Sequence, residues 1–456
     1  MPTNKTMKTA RTPLALALLA VASAWGMPAF ALDLQQAYDA AVRNDAQIRA
    51  SRAAADAARE RLPQAVAQLR PNVSASVGRN YNDLISEGRN VLGQGTKTES
   101  NYFSGNKTLS VRQPLYRPYQ LAAVRQAEAQ VQEADASLER DEQGLVVRLG
   151  EAYFEALLAE DQLNLVLSQK ATYAKQLDAA RKGFDAGSGT RTDIDEAQAR
   201  LDMTIAQELE ARQNREYTRH RLEVMVGESV DGLSGLPAGD FQAEAPAPAT
   251  VDAWIAKAEA ASPELQQLQA QQQAARMEID KAKAGHLPTL DAVAQWARTN
   301  SDSIYAVNSR YDNKVLGLQL SVPLYGGGYV NSTVKQALAA FTRAEEALEA
   351  TRRDLAVRVR KEYRGMTEGV ARIKALEQAV RSAEQSVQSN RRSYEAGYRT
   401  TIDVLNAEHQ KTTALRDLAQ ARYLYLVSRL RLQSLAGQDR AGNVQDVNRW
   451  LMAAKP

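Results

Sequence analysis

The stretch Arg391-Arg392-Ser393-Tyr394-Glu395-Ala396-Gly397, followed six residues after its glycine by Asp403-Val404, decides the fold because it occurs twice. The other copy is Arg181-Lys182-Gly183-Phe184-Asp185-Ala186-Gly187, with Asp193-Ile194 at the same offset, 210 residues earlier. Upstream, Leu109-Ser110-Val111-Arg112-Gln113-Pro114-Leu115-Tyr116 matches Leu318 to Tyr325 at a shift of 209. Leu69-Arg70-Pro71-Asn72-Val73 likewise echoes His286-Leu287-Pro288-Thr289-Leu290. Three landmarks in one order at nearly one shift read as a tandem duplication. The expected division is 32–236 for the first repeat, 237–250 for a Gly-, Pro- and Ala-rich linker, 251–445 for the second repeat and 446–456 for a C-terminal tail.

Each copy reads as helix, strand pair, long helix, tight turn, helix. Residues 33–68 are rich in the helix formers Ala, Gln, Arg and Glu. Stretches from Pro118 to about Phe184, with no further proline, and from about Tyr329 to Tyr394, with none, predict helices on the order of 100 Å long. Val359, Tyr363, Met366, Val370, Ile373, Val380, Val387 and Tyr394 follow steps of four and three, a heptad-like seam. Gly187 and Gly397 are the natural stops, because glycine tolerates the left-handed end of a helix. Asp193 and Asp403 then fall in the first turn of the next helix, beside its positive end.

The strand pairs alternate with period two. Val73, Ala75 and Val77, then Leu109 and Val111, are apolar in the first copy. Leu290, Ala292, Ala294 and Trp296, then Leu316, Leu318, Leu320, Val322 and Leu324, are apolar in the second. Such alternation marks strands with one apolar and one polar face. The polar stretches 79–106 and 299–313 read as surface loops. A small soluble hairpin domain would share this pattern, but four strands between such long helices bury little. A membrane barrel built from several chains accounts better for the apolar face.

Composition removes other classes. The 456 residues contain no cysteine, so a disulfide scaffold, a thiolate metal site, a cysteine nucleophile and a lipid-modified N-terminal cysteine are excluded. Three histidines, His220, His286 and His409, lie far apart and outside any H-E-x-x-H motif. No phosphate-binding loop and no G-x-S-x-G elbow occurs. Asp185 to Glu196 has the length of a calcium loop but carries Gly187 and Gly189 where ligands are needed. Neither enzyme activity, nor a metal, nor a cofactor is expected.

Residues 1–31 read as a secretory signal. Lys5, Lys8 and Arg11 precede an apolar run from Leu14 to Ala24, and Ala29 and Ala31 stand at the −3 and −1 positions of a cleavage site. The leader carries three positive charges and no acid, so the formal net charge of +3 becomes +3 − 3 = 0 for the expected mature chain. A neutral exported protein is not a generic polyanion binder, and no nucleic-acid partner is expected.

At this point the sequence resembles the TolC family of trimeric outer-membrane channels. The resemblance rests on Leu318 to Gly328, on Glu395-Ala396-Gly397-Tyr398-Arg399-Thr400-Thr401-Ile402-Asp403-Val404-Leu405-Asn406-Ala407, and on the duplicated element order. It implies an α+β membrane protein. Each protomer of a homotrimer would give four strands to a 12-stranded barrel among outer-membrane lipid, and its helices to a periplasmic α-helical tunnel. It also implies partners: a periplasmic adaptor and an inner-membrane ABC or proton-driven transporter. Gly187 and Gly397 would mark the tunnel's periplasmic entrance. Asp193 on one hairpin, and Tyr398 and Arg399 on the other, match the links that hold the family's entrance nearly shut. Asp403 matches the first acid of a constriction ring, and Asn406 stands where a second acid can occur. The implied function is an exit duct for type I protein secretion, small-molecule efflux or both. Efflux alone, and a soluble periplasmic coiled-coil adaptor, are the alternatives.

Overall fold

A computed structural model describes residues 31–237, 241–301 and 308–451. Ala29 and the rest of the expected leader before Ala31 lie outside the described residues, as does the end of the tail, 452–456.

The expected single helix over 33–68 is three: α1 (Leu34–Asn44), α2 (Ala46–Arg59) and α3 (Arg61–Ala67). The first break is at Asp45, whose carboxylate accepts hydrogen bonds from the amides of Gln47 and Ile48 at 2.7 and 3.0 Å and so starts a new helix. The strands β1 (Asn72–Arg89) and β2 (Gly95–Tyr116) follow. Next come the long helix α4 (Pro118–Asp185) and its partner α5 (Arg191–Val226). The second half contains α6 (Val251–Ala261), α7 (Pro263–Lys283), β3 (Thr289–Ser301), β4 (Ser309–Ser321), α8 (Tyr329–Glu395), α9 (Thr401–Leu435) and α10 (Arg440–Asn448).

The polar stretches 79–106 and 299–313 are mostly strand, not loop. β1 and β2 pair without interruption out to Arg89↔Gly95, and β3 and β4 pair out to Ser301↔Ser309. Gly, Asn and Ser concealed them because an extended ribbon with both faces in water needs no apolar alternation.

The four strands form one antiparallel sheet in the order β1-β2-β3-β4. Its register gathers the alternating apolar residues onto one face: Val73, Val111, Ala294 and Leu316 share a row, and Ala75, Leu109 and Trp296 share the next. Rows on the other face are mostly polar: Ser74, Ser110 and Gln295 share one, ending at Val315 on the edge, with the Ser74 and Ser110 hydroxyls 2.7 Å apart. No helix among the described residues is long and apolar enough to cross a membrane.

Below the sheet, each long helix is paired along its length by two shorter ones placed end to end. α4 packs on α2, α3 and α7 toward the sheet and on α5 toward its other end; α8 packs on α7 and then on α9. The joins are tight. Gly227, which caps α5 with φ +81°, leaves only 2.7 Å between an added Cβ and the Asn44 side chain. Gly437, with φ +61°, would place a Cβ 2.4 Å from the Ala261 carbonyl oxygen. These two glycines are again 210 residues apart.

The main apolar core lies at this level. Leu145, Leu149, Tyr153 and Phe154 of α4 meet Tyr425, Leu426 and Leu430 of α9 there, together with α1 and α10. Gly150 lets the helices cross, since a Cβ there would sit 2.4 Å from Leu430. The 237–250 stretch is no loose tether: Phe241 is buried against Tyr425, and the Glu244 carbonyl accepts from the Tyr425 hydroxyl at 2.7 Å. Nor are 446–451 simply a tail. Val447 is fully buried on α10, and Arg429 lies 4.7 Å over the Trp450 ring.

Candidate functional site at the hairpin tips

Far from the sheet, α4 turns into α5 and α8 turns into α9. Both turns have the same length, 186–190 and 396–400. Both close by the same device. Gly187 has φ +77° and Gly397 +78°, the left-handed conformation that costs glycine no steric penalty. The amide after each glycine reaches back to the helix: Ser188 to the Gly183 carbonyl at 2.9 Å, and Tyr398 to the Ser393 carbonyl at 2.8 Å.

A capping box then starts each following helix. The Thr190 amide and hydroxyl donate to the Asp193 carboxylate at 3.0 and 2.6 Å; those of Thr400 donate to Asp403 at 3.0 and 2.9 Å. Burial pushes the Asp193 pKa up, but the Thr190 hydrogen bonds outweigh it and hold it below the usual carboxylate value. The Thr401 hydroxyl of the other hairpin adds to that lowering, although it completes no hydrogen bond of its own. Asp403 is lowered by the Thr400 amide and hydroxyl, with Arg399 adding to the effect.

The expected gate residues are therefore all at the tips, but within one chain they are not paired as links. Asp193 is held by Thr190 and lies beside Thr401. Arg399 turns to its own hairpin, 3.5 Å from Asp403. Tyr398 is 86% exposed. Asn406, at the position of a second acid, accepts from the Arg200 guanidinium at 3.1 Å. That bond joins the two hairpins, and sequence reasoning missed it. Nothing in the sequence marks two polar residues 206 positions apart as partners.

Behind the tips, the hairpins are braced by charge. Glu408 accepts from Arg391 within the second hairpin, and Lys170 bonds Glu208 at 2.6 Å within the first. Gln169 of α4 approaches His409 of α9 at 3.4 Å. The other histidines are elsewhere, His220 on Glu223 at 2.6 Å and His286 on Asn331 at 3.2 Å. This is the chemistry of two braced, polar hairpin tips with acids set at their helix starts.

The comparisons with known proteins agree with that geometry. The family model described as "Outer membrane efflux protein" matches residues 37–228 and 254–438, one block in each half. The alkaline protease secretion protein AprF of Pseudomonas aeruginosa is 35% identical, over 90% of this chain and 85% of its own length. The outer membrane protein TolC of Vibrio cholerae is 31% identical, over 93% of this chain and 95% of its own. The solved CmeC outer membrane channel of Campylobacter jejuni superposes with a TM-score of 0.75 at 14% identity, covering 99% of this chain and 98% of that one. The chain thus belongs to the outer membrane efflux protein family, a channel of the bacterial outer membrane that extends into the periplasm as an exit duct.

Proposed function

We propose that three copies of this chain close one duct, with a 12-stranded barrel in the outer membrane continuous with a periplasmic helical tunnel. One observation carries the proposal. The sheet is apolar on one face and polar on the other, and the outer edges of its edge strands β1 and β4 are unpaired among the described residues. Open edges do not occur in hydrocarbon, and four strands are too few to close on themselves. Pairing β4 of one copy with β1 of the next satisfies both edges and puts the polar rows in the lumen. Tyr116, Tyr325 and Tyr329, all exposed where the sheet meets the helices, form the aromatic girdle expected at a membrane boundary.

In this reading the two repeats, 32–236 and 251–445, each supply one hairpin to the tunnel wall, and the tips form its entrance. Asp193 meets Tyr398 or Arg399 across protomers to hold the entrance nearly shut. Three copies of Asp403 make a negative ring that favours cations. The ring is weak, because Arg399 stands against each Asp403 and Asn406 brings no charge. An adaptor and an inner-membrane ABC or proton-driven transporter open the entrance and supply the energy. The cargo is protein, by type I secretion, since the protease-secretion relative is more similar than the TolC relative, 35% against 31%; small-molecule efflux through the same duct remains open to it. In planar bilayers the purified chain is expected to give discrete conductance steps. Complete absence of steps overturns the reading.

A further inference from the structure

Between the apolar rows of the sheet and its hairpin turns, the apolar face changes character abruptly. The register places Val77, Lys107, Arg298 and Asp312 in one row. Lys314 stands in the row below, next to Trp296, and Arg79 and Arg310 stand in the row above. Residues opposite one another on such a face lie about 5 Å apart, so five cations and one carboxylate share a patch three rows deep.

Only part of this charge is answered within the chain. Asp312 accepts from Arg298 at 2.6 Å and lies 3.6 Å from Arg310. Lys107 and Lys314 form no ion pair among the described residues. The next acids on this face, Asp83 and Glu99, are two and three rows beyond Arg79 toward the turn. Two of the arginines are held in place by aromatic rings, Arg79 4.9 Å over Phe103 and Arg298 5.3 Å over Trp296.

Location identifies the occupant. Charged side chains on a lipid-facing surface are costly at the bilayer midplane and nearly free at its interfaces, so the patch marks the boundary where the apolar band ends. The helices leave the opposite end of the sheet, so this boundary is at the outer surface. An amphiphile there would lay acyl chains on Leu109, Trp296 and Leu316 and bring its head group against the cations. Arg and Lys converging on a small area favour phosphate oxygens. We infer that this patch binds a phosphate-bearing lipid of the outer leaflet. The inference rests on the sheet forming a membrane barrel.

The experiment titrates bis-phosphorylated lipid A, and its dephosphorylated form, into the purified full-length chain in detergent, read by native mass spectrometry. The phosphorylated lipid is expected to bind about tenfold more weakly to a Lys107→Gln/Lys314→Gln double variant. Arg112→Gln, on the polar face, is expected to leave binding unchanged, and millimolar inorganic phosphate is expected not to displace the lipid. Arg79→Gln, outside the Arg298–Asp312 pair, repeats the measurement if the double variant fails to fold. Equal binding by wild type and variants overturns the site. So does equal binding of the dephosphorylated lipid, or displacement by phosphate, which would make the site one for a free anion. Bilayer conductance separates the two readings: a chain that conducts but shows no preference for the phosphorylated lipid loses the site and keeps the duct.

Discussion

The first hairpin turns through Ala186-Gly187-Ser188-Gly189-Thr190 and the second through Ala396-Gly397-Tyr398-Arg399-Thr400. The backbone is the same in both: a left-handed glycine, a back-bonded amide and a threonine–aspartate capping box. What differs is two side chains at the apex, small and neutral in one, aromatic and cationic in the other. The same holds where the short helices abut. Gly227 and Gly437 are equivalent, but the first meets a side chain and the second a backbone carbonyl. The duplication kept the devices that fix the path of the chain and let the groups presented to neighbours diverge.

The largest effect is expected at the helix joins. Gly437→Ala combines a left-handed φ with a backbone clash and should destabilise on the order of 3 kcal/mol. Gly227→Ala should cost somewhat less, about 2 kcal/mol: its nearest contact, 2.7 Å to the Asn44 Cβ, is looser than the 2.4 Å at Gly437, but that Cβ is fixed to the α1 backbone and the Asn44 amide is held by the Val226 carbonyl. Thermal unfolding in detergent measures both, and equal losses would break the distinction between the halves. At the tips, Gly187→Ala and Gly397→Ala meet open space, so each should cost only the left-handed penalty of about 1 kcal/mol.

The caps come next. Thr190→Ala and Thr400→Ala should each weaken the local helix start by about 1 kcal/mol, seen as faster amide exchange at the two tips. Acid should do the same. Both aspartates have folded-state pKa values below the usual one, so their contribution is complete above about pH 4 and is lost as pH falls through the lowered values. Protection of the Thr190 and Thr400 amides that stays constant down to pH 2 would contradict the box in both halves.

The smallest effects on stability, within about 0.5 kcal/mol, belong to the divergent apex residues and are read in function instead. Arg399→Ser should raise single-channel conductance several-fold, and unchanged conductance removes Arg399 from the gate. Asp403→Asn should abolish the cation preference, whereas Ser188→Ala, at the position equivalent to Tyr398, should leave it intact.

How much of this was legible in the sequence follows from the same physics. Helix ends at Pro118, Asp185, Tyr329 and Glu395 were readable because proline, glycine and capping residues act locally. The period-two alternation of Leu316, Leu318 and Leu320 was readable too, because it recurs along the chain itself. The distal strands Gly78–Arg89 and Gly95–Asn106 were not, since water on both faces imposes no pattern. The Arg200–Asn406 bond and the rows that gather Lys107, Arg298 and Lys314 depend on long-range register, to which no local signal corresponds.

Three copies sharing one barrel is tested most directly by the mass of the unheated complex extracted from outer membranes, by light scattering corrected for detergent. Three chains per particle, falling to one on heating, is the predicted result. A single chain per particle, recovered without detergent from the periplasm, would contradict it.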